Sequence, residues 1–153
     1  MTEPPLRYFE DLVIGEEEWG IEEVAVEEDM VEYAVRYDPW YFHVDADAAR
    51  EGPFGGLTAS SGYSIGLMYS SANRGIWNRP DSPVALIGGI DMRLRYLNPL
   101  RPGDRVRSRV VINDKRLSSK PGRSVVEGTL ELVNQDGDMI IAAEVVWLVA
   151  THL

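Results

Sequence analysis

From Val84 onward, the chain consists mainly of four long segments rich in β-branched and apolar residues. This composition predicts β-strands. The four predicted strands are Val84–Leu97, Arg105–Lys115, Ser124–Asn134 and Met139–Thr151. The last two are joined by Gln135-Asp136-Gly137-Asp138, a hairpin signal, and the first two by the turn Asn98–Asp104. Connections this short predict an antiparallel sheet, because parallel strands need long crossovers.

A proline-free segment from Thr58 to Asn73 precedes these strands and predicts the longest helix. Gly62, Gly66 and Ser70 recur in it every four residues. Glycine costs about 1 kcal/mol relative to alanine inside a helix, so we expect this stripe of small residues to let another backbone approach. A helix buried against an antiparallel sheet is an α+β fold, in which a curved sheet wraps one helix.

The first half of the chain supplies shorter elements. We predict a strand over Glu17–Val26 and an amphipathic helix that begins at Glu27 and delivers Asp38. A second short helix, Ala46–Glu51, is expected to be capped by Asp45. Residues 1–16 are interpreted as an N-terminal arm and residues 74–83 as a loop, within a single domain of residues 1–153.

Composition narrows the classes of function. No apolar run approaches the roughly 20 residues of a membrane-spanning helix, and the first residues do not resemble a signal peptide, so we expect a cytoplasmic protein. The chain has no cysteine and two histidines, which argues against a metal site. Its net charge of −10 argues against nucleic acid as a partner, although residues 93–123 form a locally basic stretch.

Asp38 and His43 are the candidate catalytic groups, an acceptor and an imidazole five residues apart and followed by a glycine-rich run. Such a pair suits general acid–base catalysis. Each residue also has a simpler interpretation from its local sequence. Asp38 could form a helix end or an Asx turn before Pro39, and His43 could be a histidine packed among aromatic side chains.

The segment DPWYFHVDADAAREGPFGGLTASSG resembles the hydratase segment of the MaoC-like dehydratases, relatives of the (R)-specific enoyl-CoA hydratases with a hot-dog fold. The matching positions are Asp38, His43, Asp45, Ala48, Phe54 and Gly55. The later turn Asn98-Pro-Leu-Arg-Pro-Gly-Asp104 is also similar to the turn between two sheet strands in that family. The sequence departs from the family pattern at Trp40-Tyr41 and at Ser60-Ser61.

The resemblance implies a hydratase or dehydratase of 2-enoyl or 3-hydroxyacyl thioesters, with Asp38 and His43 as the acid–base pair. It implies an oxyanion site at the backbone N–H groups of Ser61 or Gly62, and no metal or other cofactor. The substrate-binding residues would be Trp40, Tyr41, Phe54, Gly55 and Ser60. The implied partners are an acyl-CoA or acyl-carrier-protein thioester and a second copy of the chain, in a homodimer or larger homo-oligomer.

Two alternatives stay open beside the hydratase. One is a thioesterase on the same fold, which the Asp38–His43 spacing disfavours. The other is a non-catalytic acyl-binding or partner subunit, which the Trp40-Tyr41 substitution favours and the retained acid–base pair disfavours. Ser60 and Ser61 could also serve as ordinary helix caps.

Overall fold

Six antiparallel β-strands form one sheet in the computed structural model, which describes residues 2–152. The strands are β1 (Glu17–Trp19), β2 (Glu23–Val24), β3 (Leu86–Tyr96), β4 (Arg105–Leu117), β5 (Arg123–Asn134) and β6 (Met139–Ala150). Their order is β1-β4-β5-β6-β3, and β2 also pairs with β4. The predicted α+β class and the four long strands are confirmed, with ends that differ by at most two residues.

The turn between β5 and β6 has the predicted hairpin geometry. Gly137 has a φ of 81°, a left-handed conformation that glycine adopts without steric cost. The Asn134 N–H donates to the Asp138 carbonyl at 2.9 Å, and the Asn134 side chain accepts from the N–H groups of Asp136 and Asp138. This turn fixes the register that places the start of β6 beside the pocket described below.

The strand predicted over Glu17–Val26 is instead two short strands, because the chain leaves β4 between Gly20 and Glu22. There the Ile21 N–H donates to the Ser71 carbonyl at 3.1 Å, and the Ser71 hydroxyl donates to the Ile21 carbonyl at 2.6 Å. Tertiary hydrogen bonds thus replace the sheet ladder over these residues. This explains why the alternation in the sequence is weak.

Within residues 2–152, four α-helices accompany the sheet. They are α1 (Glu27–Tyr37), α2 (Tyr41–Val44), α3 (Ala46–Arg50) and α4 (Ser61–Ala72). Asp45 caps α3 as predicted, accepting from the N–H groups of Asp47 and Ala48 at 3.1 and 3.0 Å. The segment around His43 forms the single turn α2.

The longest helix packs its buried residues, among them Met68 and Ala72, against the apolar face of the sheet. It continues as a π-helical turn, Asn73–Trp77, where a loop was expected. The reason is burial, because Trp77 lies 4.9 Å from Trp147 of β6 between ring centroids, and the added turn brings it there. Gly75 permits this path, since a Cβ there would clash with the backbone at Ile21.

The stripe of small residues in α4 does not have the predicted packing. Gly62 contacts the side-chain hydroxyl of Tyr33 rather than another backbone, and a Cβ at Gly66 would have no neighbour within 4 Å. Close backbone approach occurs instead at Gly20, where a Cβ would overlap the Ser71 carbonyl and hydroxyl. The sequence pattern correctly marked a helix with special contacts but placed them at the wrong glycines.

The segment interpreted as an arm is packed onto the domain through Phe9 and Leu12, both buried. Phe9–Asp11 forms a short 3-10 helix. Arg7 pairs with Glu16 and Glu18, at 3.0 Å in each case. Within residues 2–152, no helix is both long enough and apolar enough to cross a membrane.

Candidate active site

Asp38 is presented by the last turn of α1. Its N–H donates to the Ala34 carbonyl at 2.8 Å, which ends the helix, and Pro39 prevents the helix from continuing. The Trp40 N–H donates to the Asp38 carbonyl at 2.8 Å and turns the chain toward α2. The backbone on both sides of Asp38 is therefore fixed by hydrogen bonds.

His43 lies in α2 and is buried, with 8% of its surface exposed. Its Nδ1 lies 2.7 Å from the Thr58 carbonyl oxygen. Because a carbonyl can only accept, Nδ1 must carry the proton of this hydrogen bond. In the neutral imidazole Nε2 then has a free lone pair, so the backbone of Thr58 sets the tautomer of His43.

The two candidate groups face each other, with Nε2 of His43 3.5 Å from Oδ2 of Asp38. The Ser60 hydroxyl donates to the same carboxylate oxygen at 2.8 Å. With a neutral imidazole, Nε2 and the carboxylate are both acceptors, so a water molecule can donate one proton toward each. The geometry suits a pair that shares one water.

The N-terminus of α4 lies beside this pair and has no side-chain cap. The first N–H groups of a helix have no partner within the helix, and they carry the positive end of its dipole. Ser60 occupies the N-cap position, but its hydroxyl is directed to Asp38 instead. Among residues 2–152, no side chain therefore caps the first N–H groups of α4, which include those of Ser61 and Gly62.

A cavity of about 350 Å³ connects these elements. Its polar lining includes Asp38, His43, Ser61 and Ser64. Its apolar lining comes from Phe42 and Phe54, from the end of β3 and the turn that follows, and from the start of β6. These last residues are Tyr96, Leu97, Pro99, Leu100, Ile140 and Ile141. The cavity is therefore an apolar pocket with convergent polar groups at one end, which is typical of a small-molecule site.

The structure brings some of the predicted site residues into this lining and leaves others outside it. Phe54 and Ser61 line the cavity, together with the acid–base pair. Five predicted residues are outside the lining: Trp40, Tyr41, Gly55, Ser60 and Gly62. Ser60 is buried behind Asp38, and Trp40 is 62% exposed with its ring parallel to that of Phe42.

Sequence reasoning did not select Ser64, Asn98 or the Ile140-Ile141 pair as pocket residues, yet all of them line the cavity. Ser64 follows Ser60 by one helical turn, so a helix that begins at the pocket carries Ser64 along its wall. The β6 residues had no such local signal, because only the register of the sheet places them there.

Comparison with known proteins identifies close structural relatives. The family model described as "MaoC like domain" matches residues 13–135. Among curated proteins, Nodulation protein N of Rhizobium meliloti strain 1021 is 34% identical over 82 residues, which is 53% of this chain and 50% of that protein. Nodulation protein N of Rhizobium leguminosarum bv. viciae is 26% identical over 149 residues, covering 93% and 86%. The alignment thus spans only half the length of the first of these relatives.

The MaoC-like dehydratase of Rhodospirillum rubrum superposes with a TM-score of 0.86 at 26% identity, covering 96% of this chain and 99% of that one. The R-hydratase PhaJ1 of Pseudomonas aeruginosa has a TM-score of 0.72 at 18% identity, with 95% and 90% covered. The HadBC complex of Mycobacterium tuberculosis, a 3R-hydroxyacyl-ACP dehydratase, has a TM-score of 0.62 at 16% identity, with 88% and 96% covered. These likenesses confirm the predicted hot-dog fold.

Proposed function

The chain belongs to the family of MaoC-like domains, and from that premise we propose that it reversibly adds water to the double bond of a 2-enoyl thioester. The observation that carries this proposal is the facing pair of Asp38 and His43. Their side chains are 3.5 Å apart in a cavity that also contains the uncapped start of α4. Hydration needs a base, an acid and an oxyanion site, and this cavity contains a candidate for each.

In the first step, a water held between Nε2 of His43 and the carboxylate of Asp38 attacks the β-carbon. One of its protons passes to the pair as the new carbon–oxygen bond forms. The electrons of the double bond move toward the carbonyl, whose oxygen becomes an enolate oxygen. The Nδ1–H bond to Thr58 leaves Nε2 as the free nitrogen, which suits it to receive that proton.

The enolate oxygen is stabilised by the N–H groups at the N-terminus of α4, most directly by that of Ser61, which lines the cavity. The Gly62 N–H lies outside the lining and adds to the positive end of the helix dipole. These groups have fixed positions before the reaction begins, so they need no reorganisation as charge develops. Removal of one such donor typically costs on the order of 10² to 10³ in rate. In the second step, the pair returns one proton to the α-carbon and the thioester carbonyl forms again. Water has then been added without net change in the protein.

No step of this scheme uses a metal or a redox group. The acyl part of the substrate would contact the apolar wall of the cavity, and Phe54 is the predicted substrate-binding residue that lies in that wall. Trp40, Tyr41 and Gly55 would contact substrate only outside the cavity, at its mouth. Ser60 would act on the substrate through Asp38. The cytoplasmic location and the absence of nucleic acid as a partner stay predictions from composition.

The experiment that tests this function follows the loss of enoyl absorbance on hydration of crotonyl-CoA, with free-thiol release measured in parallel. We expect wild-type protein to hydrate without releasing thiol. Asp38→Asn and His43→Gln should each lower kcat/KM by on the order of 10² to 10⁴, because each removes one partner in proton transfer.

The chain offers a matched control for each substitution. Asp45→Asn replaces an exposed carboxylate whose role is to cap α3, a role that asparagine also fills. His152→Gln replaces an exposed histidine near the C-terminus. Both should leave hydration unchanged.

Thiol release without hydration would favour the thioesterase. Binding of thioester with neither reaction would favour a non-catalytic subunit, an outcome that the Nodulation protein N and regulatory-protein names of relatives make worth testing.

We further propose that two copies of the chain pair through β3, which lies at one edge of the sheet. This strand is eleven residues long and exposes apolar side chains, with Ile87 at 51%, Ile90 at 57% and Tyr96 at 59%. A long apolar edge strand is a template for pairing with another chain. Light scattering should give about twice the 17.1 kDa of one chain.

The control for this dimer uses another exposed apolar residue. Ile90→Lys should shift the protein toward monomer, whereas Val35→Lys on α1, where Val35 is 62% exposed, should not. Wild-type protein that is monomeric at micromolar concentration would overturn the pairing.

A further inference from the structure

We propose that Arg101 binds a phosphate group of the carrier arm of the thioester substrate, at the rim of the cavity. This inference rests on the proposed function, because it assumes that the thioester end of the substrate reaches Asp38 and His43. It assigns a binding role to one residue of the basic stretch 93–123, where the sequence alone indicated only a region.

The position of Arg101 follows from its neighbours. Leu100 is buried and lines the cavity, and its carbonyl accepts from the Ala59 N–H at 2.8 Å just before α4 begins. The next residue in the chain is Arg101, whose Nη2 donates to the carbonyl of Phe54 at 2.6 Å. Phe54 also lines the cavity. The guanidinium therefore lies against two segments that form the wall, next to the cavity but outside its lining.

The backbone that carries Arg101 is held on both sides. The Arg101 N–H donates to the Asp104 carboxylate at 2.8 Å, and the Asp104 N–H donates back to the Arg101 carbonyl at 3.1 Å. Gly103, with a φ of 84°, completes this turn and donates to the Ala25 carbonyl at 2.7 Å. A side chain on such a turn begins from a fixed position, which lowers the entropy lost when it binds a ligand.

The guanidinium of Arg101 has no carboxylate within 4 Å among the described residues, whereas six of the thirteen arginines of this acidic chain do. Arginines with a carboxylate within 4 Å are Arg7, Arg50, Arg79, Arg105, Arg109 and Arg116. The Phe54 carbonyl engages Nη2, which leaves other N–H groups of the guanidinium for an anion. Gly56 keeps space beside Nη1, since a Cβ there would come within 3.4 Å of it. A guanidinium with free donors matches the geometry of phosphate oxygens.

Arg93 and Arg95 also lack carboxylate partners within 4 Å, but their surroundings are less favourable for an anion. They line a trough on the outer face of the sheet that also contains Glu131 and Glu144. Two carboxylates in the same trough oppose the binding of phosphate. Arg101 is the arginine that joins a pocket-lining residue directly, and this distinguishes it from them.

The ligand is a phosphate ester attached to pantetheine, a chemistry that coenzyme A and the prosthetic group of a carrier protein share. The test compares crotonyl-CoA, crotonyl-phosphopantetheine and crotonyl-pantetheine as substrates of wild-type protein and of Arg101→Gln. A charge-assisted hydrogen bond that is partly exposed should contribute about tenfold to binding. In wild-type protein we expect kcat/KM to be higher for crotonyl-CoA than for crotonyl-pantetheine. In Arg101→Gln this advantage should fall about tenfold, because KM for crotonyl-CoA rises.

Lys120→Gln is the control for the loss of one positive charge. Lys120 is exposed in the hairpin between β4 and β5, whereas the cavity lies at the other end of β5, beside the start of β6. Twelve residues of strand separate the two by roughly 40 Å. At that distance salt screens the charge, so the substrate ratio should stay at the wild-type value.

The outcomes separate as follows. If Arg101→Gln lowers kcat/KM for crotonyl-phosphopantetheine as well as for crotonyl-CoA, the result supports contact with the phosphate next to pantetheine. A loss with crotonyl-CoA alone supports contact with the phosphates of its nucleotide. An equal loss on all three substrates overturns the proposal, since Arg101 would then act only by holding Phe54. If wild-type protein hydrates none of them, the proposed function fails, and calorimetry with coenzyme A decides the role of Arg101. Weaker binding by Arg101→Gln supports that role, and equal or absent binding overturns it.

Discussion

The two ends of α4 differ in how their polar groups are used. At the C-terminal end, the Ser71 hydroxyl donates to Ile21 and accepts from the Ser108 N–H at 2.8 Å, and Ser108 in turn donates to the Met68 carbonyl at 2.6 Å. At the N-terminal end, the helix has no side-chain cap, and Ser60 serves Asp38. One end of the helix is satisfied within the protein, while the other is left with free donors beside a cavity.

This difference indicates that the two ends of α4 have different roles. Buried hydrogen bonds at the C-terminal end anchor α4 to the sheet and to the β1–β2 segment. With that end anchored, the N-terminal end can keep unpartnered N–H groups, which elsewhere would favour a cap. Substitutions at the two ends should therefore separate stability from activity.

The largest expected effect is at the anchored end. Gly20→Ala would place a Cβ against the backbone carbonyl of Ser71, which cannot move without shifting α4. We expect the free energy of unfolding to fall by about 3 kcal/mol. Urea unfolding followed by circular dichroism measures this change, and the kcat of the protein that remains folded should stay near the wild-type value.

Gly66→Ala is the matched control in the middle of the same helix. Among the described residues, a Cβ there meets no atom within 4 Å apart from its chain neighbours and the backbone of its own helix, so the substitution should raise stability by up to about 1 kcal/mol through helix propensity. If both variants lose the same stability, close contact at Gly20 is not the cause.

Ser71→Ala should have the next largest effect. It removes the hydroxyl that donates to the Ile21 carbonyl, and it leaves the buried N–H of Ser108 without its acceptor. An unsatisfied buried donor costs about 1–3 kcal/mol, so we expect the free energy of unfolding to fall by about 2 kcal/mol. Ser124→Ala is the comparison, because the buried Ser124 hydroxyl has no hydrogen-bond partner among the described residues, and its removal should cost less.

The smallest expected effect is at the open end, and it should appear in activity. Ser60→Ala removes the 2.8 Å hydrogen bond to Asp38 without changing a cap. We expect kcat to fall by about fivefold, which corresponds to about 1 kcal/mol, because the carboxylate loses one hydrogen bond that holds it in place. The free energy of unfolding, measured in urea, should fall less than it does in Ser71→Ala. A loss of stability equal to that of Ser71→Ala, with kcat intact, would show that the two ends do not differ.

Much of this fold could be predicted because its signals are local. The hairpin at Gln135–Asp138 and the cap at Asp45 depend on residues within four positions of each other. Buried and half-buried residues alternate along β5, and the strand signal of this segment is visible in the sequence. Asp38 and His43 were predicted as a pair from their spacing, and the structure brings them together through the turn at Pro39 and the short helix α2, which was not predicted.

The remaining features depend on contacts between distant parts of the chain. The break between β1 and β2 is made by Ser71, fifty residues away, and the π-helical turn by the packing of Trp77 on Trp147. Ser60 was predicted to bind substrate or to cap the helix, and it has a third role because Asp38 is 22 residues away in sequence and adjacent in space. Propensity and spacing contain no information about such contacts.

The atom that orients His43 belongs to the main chain of Thr58, and this has an evolutionary consequence. A carboxylate in that role could be lost through one codon change, whereas a peptide carbonyl is present whatever residue occupies position 58. Descendants of this gene could therefore vary that position widely and inherit the same imidazole tautomer, provided that the strand-like path of the peptide is kept.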